Sequence, residues 1–171
     1  RYLQYSSLLK SNKSNLSFQK FIVDTNIILE AFGNACTPQN HNSSRFGKFI
    51  TIYFNKSNII SSLAIKTYLL EVTRVLTNSP EQHNFHIFYQ LIYGLSKEEK
   101  IKYNILEKFS CTPSYNKTFQ KNNLNITLET LKKFNFTEIE IDSIFRILSM
   151  ILHISNIENE AKQKMKIIST I

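Results

Sequence analysis

The chain has little glycine, few cysteines and no long apolar run, and each shortage removes a class of protein. No stretch approaches the about 18 consecutive apolar residues of a membrane-spanning helix. Cys36 and Cys111 stand far apart with no C-x-x-C spacing, so neither a disulfide framework nor a structural zinc site is indicated. The three glycines, Gly33, Gly47 and Gly94, cannot compose G-x-x-x-x-G-K-[ST], the pattern whose backbone cradles phosphates. No G-x-S-x-G or similar nucleophile motif occurs. The start, Arg1 to Tyr5, has neither an initiator Met nor signal-peptide architecture, so the sequons at Asn12, Asn42, Asn55, Asn116, Asn125 and Asn135 carry little weight.

What is present is a 171-residue chain of 20.0 kDa with 42% hydrophobic and 12% aromatic residues, too many for a disordered tail. It reads as a reduced, intracellular globular piece of one domain. The formal charge of +8 admits a basic nucleic-acid-binding module, but Lys and Arg are scattered, with a small cluster only at Lys162, Lys164 and Lys166. The reading is therefore no nucleic acid.

Apolar spacing divides the chain. Tyr2 to Leu9 follows a helical pattern with no cap, which suggests that the chain begins inside an element. Lys10 to Gln19 reads as a polar loop. Phe18 to Phe32 predicts a helix capped by Ser17 and stopped by Gly33. Lys48 to Phe54 alternates as a strand with two apolar faces, expected within a sheet covered on both sides. Asn55 to Asn58 turns it into a returning strand, Ile59 to Ala64.

The remainder predicts helices. Capping boxes stand at Ser79 to Gln82, Ser96 to Glu99 and Thr137 to Glu140. Phe85, Phe88, Tyr89 and Ile92 form one apolar stripe. Ile141, Ile144, Phe145, Leu148 and Ile151 form another. Ser110 to Asn125 reads as irregular, with a short helix at Leu128 to Phe134, and Asn159 to Ile171 as basic and weakly patterned. His83 and His86 have no third ligand nearby, so packing or capping is the expected role.

One loop carries more chemistry than the rest. Asn40-His41-Asn42-Ser43-Ser44-Arg45-Phe46-Gly47-Lys48 gathers two amides, two hydroxyls and a guanidinium. Such a set suits a polyphosphate with bound magnesium: a Ser hydroxyl is a hard oxygen ligand, amides donate to phosphate oxygens, and Arg offers a planar fork. On chemistry alone, a plain polar surface loop is the commoner meaning.

The literal string resembles switch I of the myosin motor domain, Asn-x-Asn-Ser-Ser-Arg-Phe-Gly-Lys. Further blocks resemble the family in order: Ile28 to Ala35, Phe49 to Phe54, Tyr68 to Glu71, Arg74-Val75, Asn84 to Leu91, and Phe136 through Asp142 to Leu148 and His153. Kinesins share Asn-x-x-Ser-Ser-Arg but continue with Ser-His, where Phe46-Gly47 stands here. Ser11 to Gln19, Lys97 to Asn135 and the tail after Ile157 match poorly. Cys36 replaces a usual Lys, Ile27 a Pro, Val72 a Lys, and Ile154-Ser155 a Leu-Gly.

The resemblance implies an α/β fold, part of a P-loop NTPase-like mixed sheet with two strands here as a hairpin, followed by a mainly helical upper-jaw region. It divides the chain into nucleotide-side helices (1–35), switch I (36–48), a transducer hairpin (49–64) and a helical region (65–171). It implies Asn40, Asn42, Ser43 and Ser44 as nucleotide-binding, Ser44 as the Mg2+ ligand, and Ser43 and Arg45 as catalytic. Ser43 would help position the attacking water, and Arg45 would pair with a glutamate of switch II. The implied partners are ATP and actin filaments, with light chains on a lever arm outside this sequence, and the implied location is the cytoplasmic actin cytoskeleton. Neither a phosphate loop nor a D-x-x-G switch II lies in these residues. The expectation is a motor fragment, inactive by itself, with a non-catalytic motor-derived interaction protein as the first alternative and a basic nucleic-acid-binding helical module as the second.

Overall fold

A computed structural model describes residues 15–57, 60–76, 82–112 and 117–168. Helix α1 (Asn15–Gly33) leads into two short antiparallel strands, β1 (Asn34–Ala35) and β2 (Ser43–Ser44). A longer antiparallel hairpin follows, β3 (Gly47–Phe54) with β4 (Ile60–Tyr68). A 3-10 turn (Val72–Leu76) precedes helices α2 (His86–Gly94), α3 (Lys97–Lys102), α4 (Lys117–Lys133) and α5 (Glu138–Ile168). This is the α/β composition expected, with helices dominant.

Helix α2 is the centre of the core. His86 through Ile92 are all buried, so the predicted stripe is in fact a helix apolar on nearly every side. It packs against α1, α4 and α5. Gly94 lies where a Cβ would sit 2.6 Å from Leu124 Cβ, so its bare backbone permits the close approach of α2 to α4. The hydroxyl of buried Thr127 donates to Gln90 Oε1 at 2.9 Å across the same contact. From α5, Ile141, Phe145, Leu148 and Leu152 are buried, with Ile144 and Ile151 partly so.

Two of the three capping boxes are present. Ser96 accepts from the Glu99 N–H while Glu99 returns a bond to the Ser96 N–H, and Thr137 and Glu140 do the same for α5. The Ser79 box lies outside the described residues, apart from Gln82. Its expected helix begins only at His86, with Phe85 as N-cap and no side-chain cap. With glycine scarce, asparagine supplies left-handed residues after two helices. Asn104 (φ 53°) follows α3, where Ile105 N–H reaches Lys100 O, and Asn135 (φ 62°) follows α4, where Phe136 N–H reaches Leu131 O.

Several expectations are corrected. Helix α1 includes Asn15 to Gln19, so Ser17 is not its cap and that part of the expected loop is helical; the rest of the loop, 10–14, and the Tyr2 to Leu9 pattern lie outside the described residues. Strand β4 runs to Tyr68, beyond Ala64. Helix α4 spans Lys117–Lys133, because Leu124, Thr127 and Leu131 at i, i+3 and i+7 bury one face of a segment whose composition looks like loop. Helix α5 continues through the basic tail to Ile168, where Glu, Ala, Lys, Gln and Met favour helix and neither Gly nor Pro interrupts. The hairpin is not covered on both faces: Phe49, Ile50, Tyr53 and Phe54 each remain more than a third exposed.

Candidate functional site

The Asn40–Lys48 loop is held between the end of α1 and the start of the hairpin. Helix α1 runs straight into β1, and pairing of Asn34 with Ser44 and Ala35 with Ser43 closes residues 36–42 into a loop. Inside it, Thr37 and Asn40 exchange backbone bonds of 2.9 and 3.2 Å, and Asn40 Oδ1 accepts from the Asn42 N–H at 2.9 Å. That last bond is an Asx turn, which fixes the Asn40 carboxamide against its own backbone.

Asn42 faces the scaffold. Its Nδ2 donates to Glu30 Oε2 at 3.1 Å, and its Oδ1 accepts from Asn34 Nδ2 at 2.9 Å and meets His86 Nε2 at 3.1 Å. One side chain thus binds the loop to α1, β1 and α2. Behind it lies a cavity of about 360 Å3 lined by Glu30, His41, Asn42, His86, Gln90 and Thr127 among others. Burial lowers the pKa of His86; the Glu30 charge opposes this and His83 adds to it. A neutral ring able to donate from Nε2 to Asn42 follows. His83, also lowered first by burial and then by His41, contacts the Tyr89 hydroxyl at 3.2 Å. The two histidines therefore serve packing and hydrogen bonding.

Ser43 and Ser44 alternate across β2. Ser43 Oγ accepts from Arg45 Nη1 at 3.1 Å. Ser44 is exposed, and its hydroxyl has no hydrogen-bond partner among the described residues. A hard, neutral oxygen presented to solvent suits one position in the coordination shell of magnesium carried by a polyphosphate.

Besides its bond to Ser43, Arg45 is fixed at three points. Its N–H donates to Gly33 O at 2.9 Å, its carbonyl accepts from the Glu71 N–H at 2.9 Å, and its Nε donates to Glu71 Oε2 at 2.6 Å. Phe46 then lies over Gly33, where a Cβ would come within 2.4 Å of the ring. Glu71 also accepts from Arg74, through Nε to Oε2 at 2.8 Å and Nη2 to Oε1 at 3.3 Å, while Arg74 Nη1 reaches His83 O at 2.9 Å. Burial alone would raise the Glu71 carboxyl, but the bonds from Arg74 and Arg45 outweigh it and leave its pKa below the usual carboxylate value.

All five expected site residues, Asn40, Asn42, Ser43, Ser44 and Arg45, thus share one loop, with Ser43 and Arg45 in contact. Of the residues that hold this loop, Glu30, Asn34, Glu71 and Arg74 had no assigned role in the sequence, and His86 was expected only to pack or cap. The local signal was the Glu71-x-x-Arg74 spacing after a strand, a weak one.

A closed loop bonded at its rear to two helices and at its front to a strand pair belongs to proteins in which a polar loop is coupled to the surrounding scaffold. The comparisons narrow this class. The family described as myosin head (motor domain) matches residues 1–170, and the chain belongs to that family. It is 42% identical over 139 residues to unconventional myosin-XIX of Xenopus laevis, covering 80% of this chain and 14% of that protein. Against the Homo sapiens protein of that name it is 36% identical over 156 residues, 90% of this chain and 16% of the relative. Myosin-J heavy chain of Dictyostelium discoideum is 39% identical over 162 residues, 90% of this chain and 7% of the relative. The chain therefore spans less than a fifth of the length of these relatives.

Proposed function

We propose that this chain supplies switch I to the Mg·ATP site of an actin-based motor. The observation that carries this reading is the Ser44 hydroxyl, exposed and without a partner among the described residues, in a loop whose Arg45 is bonded to Gly33 at the end of helix α1 and to Glu71 after the hairpin. Asn40 would contact the phosphate chain, Ser44 would ligate magnesium, and Ser43 would stand beside the terminal phosphate to orient water. Arg45 would close the site through a switch II carboxylate. Asn42, with its side chain bonded to Glu30, Asn34 and His86, is better suited to holding the loop than to touching nucleotide.

Phosphoryl transfer asks the protein chiefly for positioning and charge stabilisation, which hydroxyls, amides and a guanidinium provide without a nucleophile. Magnesium, brought with the nucleotide, neutralises charge on the phosphate oxygens. Loss of the terminal phosphate would release the loop, and its bonds to Gly33 and Glu71 would carry that change into α1 and the open end of the hairpin. The hairpin would join a larger P-loop NTPase-like sheet. The whole protein would act on actin filaments in the cytoplasm, with light chains on a lever arm outside this chain.

The test is steady-state turnover by the full-length protein. Magnesium-dependent, actin-stimulated ATP hydrolysis is expected, falling about 100-fold or more in Ser44→Ala, on the scale of losing one key stabilising group. No hydrolysis by the wild type, or unchanged hydrolysis in Ser44→Ala, overturns the reading. The 171-residue chain alone is expected to hydrolyse nothing.

A further inference from the structure

The Arg45–Glu71–Arg74 chain has an asymmetry that points to a role for Glu71. Oxygen Oε2 of Glu71 receives both Nε donors, from Arg45 at 2.6 Å and from Arg74 at 2.8 Å. The arginines are not equivalent. The Arg74 side chain is 2% exposed and has a third bond to His83 O, whereas the Arg45 side chain is 27% exposed. Arg74 is the fixed counter-charge, and Arg45 is the one free to leave. The main chain of Arg45 can stay in place while its side chain swings, because its N–H and carbonyl are bonded to Gly33 and Glu71.

The approach to Glu71 is strained. Leu69 adopts φ 54°, a left-handed conformation unfavourable for a residue with a Cβ, although its side chain is 92% exposed and gains nothing from burial. Backbone strain with no packing return, two residues before Glu71, indicates that the placement of this turn is what the fold retains.

We infer that Glu71 is a positioning residue that parks Arg45, and through Arg45 the Ser43 hydroxyl, while Arg74 keeps the carboxylate compensated when Arg45 turns to another acid or to a phosphate oxygen. The inference rests on the switch reading above. A carboxylate served by Arg45 alone would be left unpaired by that swing; one also bound by buried Arg74 is not. The exchange therefore carries a low penalty, and the Arg45 Nη1 bond to Ser43 means that both side chains are released together.

The experiment uses the full-length protein with Glu71→Gln and Glu71→Asp. Glu71→Gln is expected to lower kcat for Mg·ATP about tenfold, as misplaced positioning groups do, with KM for ATP within about twofold. Glu71→Asp, which keeps the charge, should recover part of the loss. A kcat equal to wild type in Glu71→Gln overturns the inference, as does a matched loss of kcat and folded protein with no recovery in Glu71→Asp. A second readout does not need turnover. Hydrogen exchange of the residue 40–48 amides, followed by mass spectrometry, should rise at least about threefold in Glu71→Gln and in Arg45→Gln. It should rise no further in the double variant, as expected for two partners of one contact. Multiplying effects, or no effect, overturn the parking contact. If the wild type shows no ATP turnover, the motor reading fails and this exchange cycle alone decides the contact.

Discussion

At Asn42 a single carboxamide touches Glu30, Asn34 and His86, so the ionisation of His86 bears directly on the loop. Burial first, against the opposing Glu30 charge, sets the His86 pKa below its ordinary 6.5, and burial with the His41 charge lowers His83. Near that pH the unfolded chain takes up protons that the folded chain refuses. The contribution to stability is full above the unfolded pKa and is lost as pH falls through the lower folded values. The urea midpoint of the chain should therefore be lower at about pH 5.5 than at about pH 7.5. His86→Gln should shrink that difference, with His83 carrying the remainder. A midpoint that is flat or rises toward acid would show that His86 is not held neutral. That the five expected residues share one loop was legible, since they lie within residues 40–45. The partner of Arg45 was not, because Glu71 is brought beneath it only by the β3–β4 register that pairs Gly47 with Tyr68.

Among the elements, local chemistry was readable wherever it was self-contained. The boxes at Ser96 and Thr137 close on residues three positions away, and both are present. Helix α4 was hidden because its buried residues, Leu124, Thr127 and Leu131, include a threonine whose hydroxyl is bonded to Gln90. A buried hydroxyl with a tertiary partner looks polar in sequence and behaves as core. The α2–α4 contact makes a sharp demand at Gly94. Alanine there would set its Cβ 2.6 Å from Leu124 Cβ, an atom fixed to the α4 backbone, so the helices must separate. Gly94→Ala is expected to cost about 1–3 kcal/mol as overpacking, although alanine is the better helix former. Urea denaturation measures it. A variant as stable as wild type would mean that the two helices are not packed this closely.

For the whole molecule, the two ends of the fold differ. The helical half buries α2 on nearly every side, and its basic residues Lys102, Lys132, Lys133 and Arg146 are in ion pairs with acids. The hairpin half is apolar and open. Phe49 and Tyr53 face one way and Ile50 and Phe54 the other, and none is covered among the described residues. Its alternation was legible in sequence, but the expected cover was not supplied by these residues. Uncovered aromatic faces on a two-stranded ribbon with open edges favour association. The 171-residue chain alone is therefore expected to self-associate at tens of micromolar, on the order of the concentrations at which exposed strand edges aggregate, and to bind ANS. Phe49→Lys with Tyr53→Lys should shift it toward monomer in sedimentation velocity, with little loss of helical signal, because α2 and its neighbours do not depend on that face. A wild-type chain that stays monomeric and silent to ANS would show that the hairpin requires no cover, and would remove the argument that it joins a larger sheet.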